Sequence, residues 1–260
     1  MNLFGVADGH GDFGHPVSQF VQKNLPSYLE EEKDLKTNTS EAIVRGFKSL
    51  TDKIASIKEM DCTFSGTTCV CAVSVDRKLF VANIGDSRAV LCHQSPGQLC
   101  RLTLLTDFYL TAIPLSQDQK PDTPGEKERL IAAGGRVASL AGMGENLPPR
   151  LWLPNDDVPG LGVSRSIGDT VSQTIGVIQV PEVKAYDLQD GDAFAVWASD
   201  GIWEFLSNDQ VVSLVWNYKY DLDEAAKQLV AEARRQWQIK EEDAIDDITC
   251  VIVGFEQSKS

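Results

Sequence analysis

The chain contains 260 residues, of which 42% are hydrophobic and 24% are charged, and its formal net charge at pH 7 is −14. This length suits one large domain with a substantial core. The negative charge argues against a nucleic-acid-binding protein, which needs a basic face, and against binding to anionic membranes. The sequence has no run of eighteen apolar residues and no basic, apolar leader, so we expect neither a transmembrane helix nor a signal peptide.

The predicted elements begin with a short apolar strand at residues 3–7, which stops at Asp8. A helix is predicted from Pro16, because apolar residues then recur every three or four positions. A second amphipathic helix is predicted from Ser40, as its N-cap, to about Met60.

Strands dominate the next part of the chain. Residues 67–75 and 78–84 are rich in apolar and β-branched side chains, which is typical of strands. Residues 88–92 are predicted to form a hairpin with 78–84 through a turn at Asp86 and Ser87.

The region around residue 130 is predicted to be one helix between irregular segments. Residues 101–122 have no clear period, and a helix then begins with Thr123 as its N-cap and ends at Gly134. Residues 139–162 are rich in glycine, proline and asparagine, which indicates a surface loop or flap.

The last part of the chain returns to strands and helices. A buried strand is predicted at 193–198, and the last strand at 248–255. Between them two helices are predicted, the first capped by Asn208 and the second by Asp221 or Asp223. Groups of strands that alternate with groups of helices indicate an α+β fold. We therefore expect packed antiparallel sheets covered by helix pairs.

The six cysteines indicate the compartment of the protein. None belongs to a C-x-x-C pair, so zinc ribbons and thioredoxin-like chemistry are not expected. Most of them lie in apolar, strand-like runs. This predicts reduced, buried thiols in a cytoplasmic or nuclear protein.

Aspartates recur at the ends of apolar runs. A single Asp-Gly pair is most simply a turn, but several carboxylates that converge at strand ends would repel one another and raise one another's pKa values. Hard divalent cations such as Mg²⁺ and Mn²⁺, which take oxygen ligands, would relieve that repulsion. The four segments that predict such a metal site contain Asp8, Asp86, Asp200 and Asp246.

Two neighbours of Asp8 add to this hypothesis. Gly9 has no side chain, so its backbone can approach a metal closely enough for its carbonyl to serve as a ligand. His10 could protonate a leaving alkoxide, ligate the metal, or be a solvated turn residue. Two metals about 4 Å apart suit the hydrolysis of a phosphate ester, a very slow uncatalysed reaction.

Seven segments together resemble the type 2C protein phosphatases, the PPM family. They include a glycine-, histidine- and aspartate-rich signature, a GDSR turn and a Ser-Asp-Gly-Ile-Trp segment. Their order and spacing match the family pattern over residues 4–255. The segments are residues 4–12, 64–68, 84–88, 126–137, 162–169, 198–203 and 246–249.

The resemblance implies a four-layer αββα sandwich, in which two packed antiparallel sheets lie between helix pairs, formed by residues 1–260 as a single domain. It implies hydrolysis of phosphoserine and phosphothreonine in proteins by water activated at two Mg²⁺ or Mn²⁺ ions, with no phosphoenzyme. The expected partner is a phosphorylated protein substrate, and we expect a monomer.

The resemblance also implies roles for individual residues. Asp8 would bridge the two metals, and Gly9 would offer its carbonyl to one of them. Asp200 and Asp246 would bind the other metal, and His10 would be the general acid.

The chain departs from the family pattern in three places. The family usually has, upstream of its first signature, a strand with a phosphate-binding arginine and a further acid, so we expect the first sheet to lack one or two strands and to have an unpaired edge. Asp86 would lie near a third, weaker metal position, where Glu204 replaces the usual aspartate. The usual Thr-x-Asp-His-Lys-Pro segment is divided between 106–108 and 117–121.

Two other functions fit parts of this sequence. A pseudophosphatase or regulatory binding module with the same fold is favoured by the upstream departure, but opposed by the presence of Asp8, His10, Asp200 and Asp246. A different metal-dependent hydrolase, such as a nuclease, is opposed by the net charge and by the absence of a basic patch.

Overall fold

The computed structural model describes residues 1–96, 108–139, 148–241 and 244–255. Within these ranges, no helix combines the length and the apolarity needed to cross a membrane. The helices are α1 (Gly14–Glu30), α2 (Thr39–Ala55), α3 (Glu126–Ala132), α4 (Thr170–Gln173), α5 (Asp200–Trp203), α6 (Asn208–Asn217) and α7 (Leu222–Lys240). The strands are β1 (Asn2–Val6), β2 (Gly9–His10), β3 (Gly66–Thr67), β4 (Cys69–Val75), β5 (Lys78–Ile84), β6 (Arg88–Pro96), β7 (Phe108–Pro114), β8 (Arg136–Ala138), β9 (Arg150–Trp152), β10 (Pro159–Leu161), β11 (Ile167–Gly168), β12 (Glu182–Asp187), β13 (Asp192–Ala198) and β14 (Cys250–Gly254).

Two four-stranded antiparallel sheets form the centre of the fold, with strand orders β1-β4-β5-β12 and β14-β13-β6-β7. Their inner faces share a core that includes Val70 and Val81 from the first sheet and Leu91 and Trp197 from the second. The helices α1 and α2 pack on the outer face of the first sheet, and α6 and α7 pack on the outer face of the second. This arrangement confirms the predicted αββα sandwich.

Strand β4 shows why its sequence is apolar without alternation. Successive side chains of a strand point to opposite faces of the sheet. Cys69, Cys71 and Val73 pack beneath α1 and α2, whereas Val70 and Ala72 pack between the two sheets. A strand that is buried on both faces therefore appears as a continuous apolar run.

The predicted hairpin between residues 78–84 and 88–92 is wrong. Strand β5 pairs with β4 and β12 in the first sheet, whereas β6 pairs with β13 and β7 in the second. The chain crosses between the sheets at Gly85, whose φ of +97° is a conformation that favours glycine. Because both strands are buried on both faces, their sequences do not reveal that they belong to different sheets.

The helices confirm the predicted apolar periodicity, but several begin at other caps. In α6 the Ser207 hydroxyl accepts a hydrogen bond from the Gln210 N–H, and the Gln210 side chain accepts one from the Ser207 N–H, which is a capping box. Neighbouring Ser, Thr and Asn residues are almost equally good caps, so sequence alone does not choose among them. Asp221 caps α7 as predicted, whereas the predicted caps Ser40, Thr123 and Asn208 are replaced by Asn38, Gly125 and Ser207.

The predicted flap at 139–162 is only partly a loop. Strands β9 and β10 lie inside it, and together with β8 they form a three-stranded antiparallel sheet. Leu151 and Trp152 of β9 are buried, which explains why this segment is ordered into strands. Residues 140–147 of the flap lie outside the described residues.

Strand β1 stands at one end of the first sheet. Among the described residues it pairs with β4 alone, so its second edge has no partner there.

The described cysteines are free thiols, as predicted. Burial raises the pKa of Cys92 to about 12 and that of Cys250 to about 11, so both thiols stay protonated at neutral pH. Cys62, Cys69, Cys71 and Cys92 are buried, Cys250 is partly exposed, and Cys100 lies outside the described residues.

A buried glutamate ties α3 to the segment that leads into β11. Glu126 is 7% exposed, and its carboxylate accepts hydrogen bonds from Arg165 Nη2 at 2.6 Å, from Arg129 Nη2 at 2.9 Å and from the Ser164 hydroxyl at 2.5 Å. Burial acts to raise the pKa of Glu126, but these hydrogen bonds outweigh it and lower the pKa to about 2.

We expect Glu126→Gln to lower the free energy of unfolding at pH 7 by about 3 kcal/mol, because it leaves the half-buried Arg129 and Arg165 without their charged partner. The folded pKa of about 2 lies below the ordinary value of 4.5, so the carboxylate stabilises the fold above pH 4.5 and this contribution is lost as the pH falls towards 2. Urea unfolding at several pH values measures both effects.

The matched control is Glu232→Gln, which breaks the more exposed Glu232–Arg235 pair on α7. Such a pair is screened by solvent, so we expect a change of at most about 0.5 kcal/mol. A loss of at most about 0.5 kcal/mol in Glu126→Gln as well would show that the Glu126 network does not stabilise the fold.

Candidate functional site

The backbone of Asp8 is held by hydrogen bonds to Thr67 and Thr68, where β3 leads into β4. The Asp8 carbonyl accepts hydrogen bonds from the Thr68 N–H at 2.8 Å and from the Thr67 hydroxyl at 2.9 Å. The Asp8 N–H donates to the Thr68 hydroxyl oxygen at 3.2 Å. The carboxyl group of Asp8 therefore projects from a rigid position at the end of β1.

Asp200 occupies the matching position at the end of β13, where it begins α5. The hydroxyl of the preceding residue, Ser199, donates to the Asp247 carbonyl at 2.9 Å and accepts from the Thr249 N–H at 3.1 Å. A Cβ at Gly201 would lie only 2.3 Å from the Asp247 carbonyl oxygen, so glycine is required there. These contacts hold the segment that contains Asp246 against the start of α5.

All of the residues that the sequence predicted for the site line one cleft, which has a volume of about 510 Å³. These residues are Asp8, Gly9, His10, Asp86, Asp200, Glu204 and Asp246. Lys120, Asp169 and residues of β9 and β10 complete the lining of the cleft.

The carboxyl groups in this cleft repel one another. Burial, followed by repulsion from Asp246 and Asp8, raises the pKa of Asp200 to about 7. Burial and the charge of Asp200 raise the pKa of Asp86 to about 7. Burial also raises the pKa of Asp8 to about 6, against a hydrogen bond with Asp200 that acts to lower it. A cation with two positive charges would reverse these shifts.

This donor set fits a divalent metal ion. Asp200 Oδ1 is buried and has no hydrogen-bond partner among the described residues, which is a costly state for a carboxylate oxygen. Carboxylate and backbone carbonyl oxygens are the ligands that Mg²⁺ and Mn²⁺ prefer. In the described ranges, no three His, Cys, Asp or Glu side chains already have the spacing of a metal site.

Gly9 has a packing reason to be glycine. A Cβ at this position would lie 2.2 Å from the Gly14 carbonyl oxygen at the start of α1. The first turn of α1 therefore approaches β2 closely, and the Gly9 backbone stays exposed to the cleft.

His10 forms a pair that the sequence did not reveal. Its Nε2 lies 2.6 Å from Oδ2 of Asp169, which is 1% exposed. Burial acts to lower the pKa of His10, but the hydrogen bond and charge of Asp169 outweigh it, so the pKa is raised. Asp169 belongs to one of the seven matching segments, and its position after Gly168 was the available signal.

Lys120 is the other site residue that the sequence did not single out. Its Nζ lies 3.5 Å from Asp86 Oδ2 and 3.9 Å from Glu204 Oε2. These are the two residues predicted for a third metal. The available signal was the Lys-Pro end of the divided segment at 117–121.

Comparison with known sequences gives consistent matches over most of the chain. A sequence profile of the family described as protein phosphatase 2C matches residues 1–240. The chain is 39% identical over 269 residues to "Probable protein phosphatase 2C 72" of Arabidopsis thaliana, covering 99% of this chain and 77% of that protein. It is 38% identical to "Probable protein phosphatase 2C 64" of Oryza sativa subsp. japonica, covering 96% of this chain and 57% of that protein. The chain therefore spans between about half and three quarters of the length of these relatives.

Solved structures share the fold. A serine-threonine phosphatase 2C from Toxoplasma gondii superposes with a TM-score of 0.79 at 22% identity, covering 98% of this chain and 84% of that one. A C. elegans sex determining protein superposes with a TM-score of 0.74 at 20% identity, covering 98% of this chain and 56% of that one. At these identities the likeness concerns the fold alone.

Proposed function

The chain belongs to the protein phosphatase 2C family, and from that premise we propose that it hydrolyses phosphoserine and phosphothreonine in proteins, as a monomer, at the cleft that contains Asp8 and Asp200. The family is metal-dependent in general. The observation that carries the proposal is the group of carboxyls with raised pKa values in one cleft with the His10–Asp169 pair.

We propose that two Mg²⁺ or Mn²⁺ ions are held by Asp8, the Gly9 carbonyl, Asp200 and Asp246. When bound, such ions lower the pKa of a water molecule and offset the negative charge of the phosphoryl oxygens. In this proposal the chain supplies rigid ligands: Asp8 is held through Thr67 and Thr68, and the neighbours of Asp200 are held through Ser199.

His10 would supply the proton that the leaving group needs. The raised pKa favours the imidazolium form, in which both ring nitrogens carry a proton. Nε2 is engaged by Asp169, so Nδ1 is the nitrogen that can donate to the leaving oxygen. The water oxygen loses one proton to solvent and forms the new bond to phosphorus, and the bond from phosphorus to the serine or threonine oxygen breaks. That oxygen takes the proton of His10, and solvent then returns a proton to the imidazole.

Phosphate release from a phosphothreonine peptide by the purified chain tests this proposal. We expect turnover with Mn²⁺ or Mg²⁺ and no turnover with excess chelator. Absence of turnover in a chain whose circular dichroism shows the folded state would contradict the proposal and favour the pseudophosphatase hypothesis. A single-stranded and a double-stranded DNA substrate serve as controls for nuclease activity.

A further inference from the structure

The predicted third metal position already has a cation beside it. We call Asp86 and Glu204 the outer carboxylate pair. Both of their ion pairs among the described residues go to Lys120, at 3.5 Å and 3.9 Å. The Asp86 side chain is only 10% exposed, so its charge is poorly screened by solvent and a nearby ammonium has a large effect on it.

The segment before Lys120 is clamped to the end of β5. The Gln119 side chain accepts a hydrogen bond from the Gly85 N–H at 2.8 Å and donates to the Asn83 carbonyl at 3.1 Å. The Gln119 N–H donates to the Gly85 carbonyl at 3.0 Å, and the Asn83 side chain donates to the Gln117 carbonyl at 2.9 Å. Because Gln119 is 3% exposed, the backbone that carries Lys120 has little freedom to move away.

A second nearby cation, Arg88, binds a different carboxylate. Arg88 donates two hydrogen bonds to the Asp118 carboxylate, at 2.8 Å and 2.6 Å, and a third to the Asn208 side chain at 2.8 Å. This bidentate pair neutralises Asp118 and holds the guanidinium in place. Among the side chains that the structure describes, Lys120 is therefore the one that forms ion pairs with the outer carboxylate pair.

We propose that Lys120 is the resident cation of the outer carboxylate pair and excludes a divalent ion from it. A divalent ion needs its ligand oxygens at about 2.0–2.6 Å, closer than either oxygen lies to the ammonium. Such an ion would have to displace Lys120 or accept its repulsion at short range. The inference deepens the proposed metal site and rests on it, because it limits the divalent ions to the ligands Asp8, Gly9, Asp200 and Asp246.

The test counts bound Mn²⁺ per chain, by electron paramagnetic resonance of the free ion, in the wild type and in Lys120→Gln at millimolar Mn²⁺. We expect the variant to bind one more ion than the wild type. Lys120→Arg keeps the positive charge and should retain the wild-type count. The double variant Lys120→Gln with Glu204→Gln should lose the additional ion, and Lys184→Gln, at an exposed lysine on β12, should change nothing.

Equal counts in Lys120→Gln and the wild type would overturn the proposal, whatever that count is. If Lys120→Gln does not fold, Glu204→Gln alone tests the proposal independently, because the Glu204 side chain is 43% exposed and can be replaced with little cost to the fold. We expect Glu204→Gln to bind as many Mn²⁺ ions as the wild type, and the loss of one bound ion would overturn the proposal. Since the count does not require turnover, failure of the proposed phosphatase activity is seen separately.

Discussion

Replacing Asp200 with Asn is expected to reduce metal-dependent turnover of a phosphothreonine peptide by at least about 10²- to 10³-fold, with the fold retained. Asp200 stands at the end of β13, has a buried oxygen without a partner and lies beside Asp8. The amide is a weaker metal ligand and has no charge, so the cleft loses attraction for a divalent ion.

Stability separates this loss from damage to the fold. The folded pKa of Asp200, about 7, lies above its ordinary value of 3.8, so its ionised form costs stability when no metal is bound. In excess chelator at pH 7.5 we therefore expect the variant to melt at the wild-type temperature or above it. Added Mg²⁺ should raise the melting temperature of the wild type more than that of the variant.

The control for this experiment is Asp187→Asn, at an exposed aspartate on β12 that pairs with Lys78. It should retain both turnover and the response of the melting temperature to Mg²⁺. Unchanged turnover in Asp200→Asn would contradict the assignment of the site.

The second large effect is expected for Asp169→Asn. The change keeps the size of the side chain but removes the charge that faces His10 Nε2 at 2.6 Å. The imidazolium form of His10 then loses its partner, and we expect kcat for a phosphothreonine peptide to fall by about 10²-fold or more, with KM little changed.

The choice of substrate distinguishes proton donation from a structural role. The p-nitrophenolate ion leaves without a proton, so Asp169→Asn should reduce hydrolysis of p-nitrophenyl phosphate much less than hydrolysis of the peptide. The matched control is Asp192→Asn, which also removes a buried aspartate paired with a histidine, His93 at 2.7 Å, but outside the cleft. Its effect should be the same for both substrates. An equal loss for both substrates in Asp169→Asn would show that His10 does not act as the general acid.

Much of the architecture could be predicted from local patterns. The apolar faces of α1 and α2 follow from residues such as Val17, Val21, Ile43 and Phe47, which recur at helical spacing and are buried as predicted. The first and last residues of β5 and the end of α3 before Gly134 also follow from local signals. Helical periodicity and glycine turns depend on a few neighbouring residues, so sequence carries them directly.

Local patterns in the sequence could not predict which strands pair with each other. The segment around Gly85 appeared to be a hairpin turn, yet it carries the chain from one sheet to the other. Two strands that are buried on both faces have the same apolar pattern whichever sheet they join, because the pattern reports burial and not the partner.

The candidate site divides in the same way. By itself the sequence determined which carboxyls stand at strand ends, and Asp8, Asp86, Asp200 and Asp246 all reach one cleft because strand ends of packed sheets meet at a common edge. Only the tertiary structure decided which other side chains lie against His10 and against these carboxyls. Asp169 lies 159 positions from His10 along the chain, and Lys120 reaches Asp86 through the clamp of Gln119 on Gly85. Such contacts are set by the packing of distant segments, and no local pattern of charge or hydrophobicity records them.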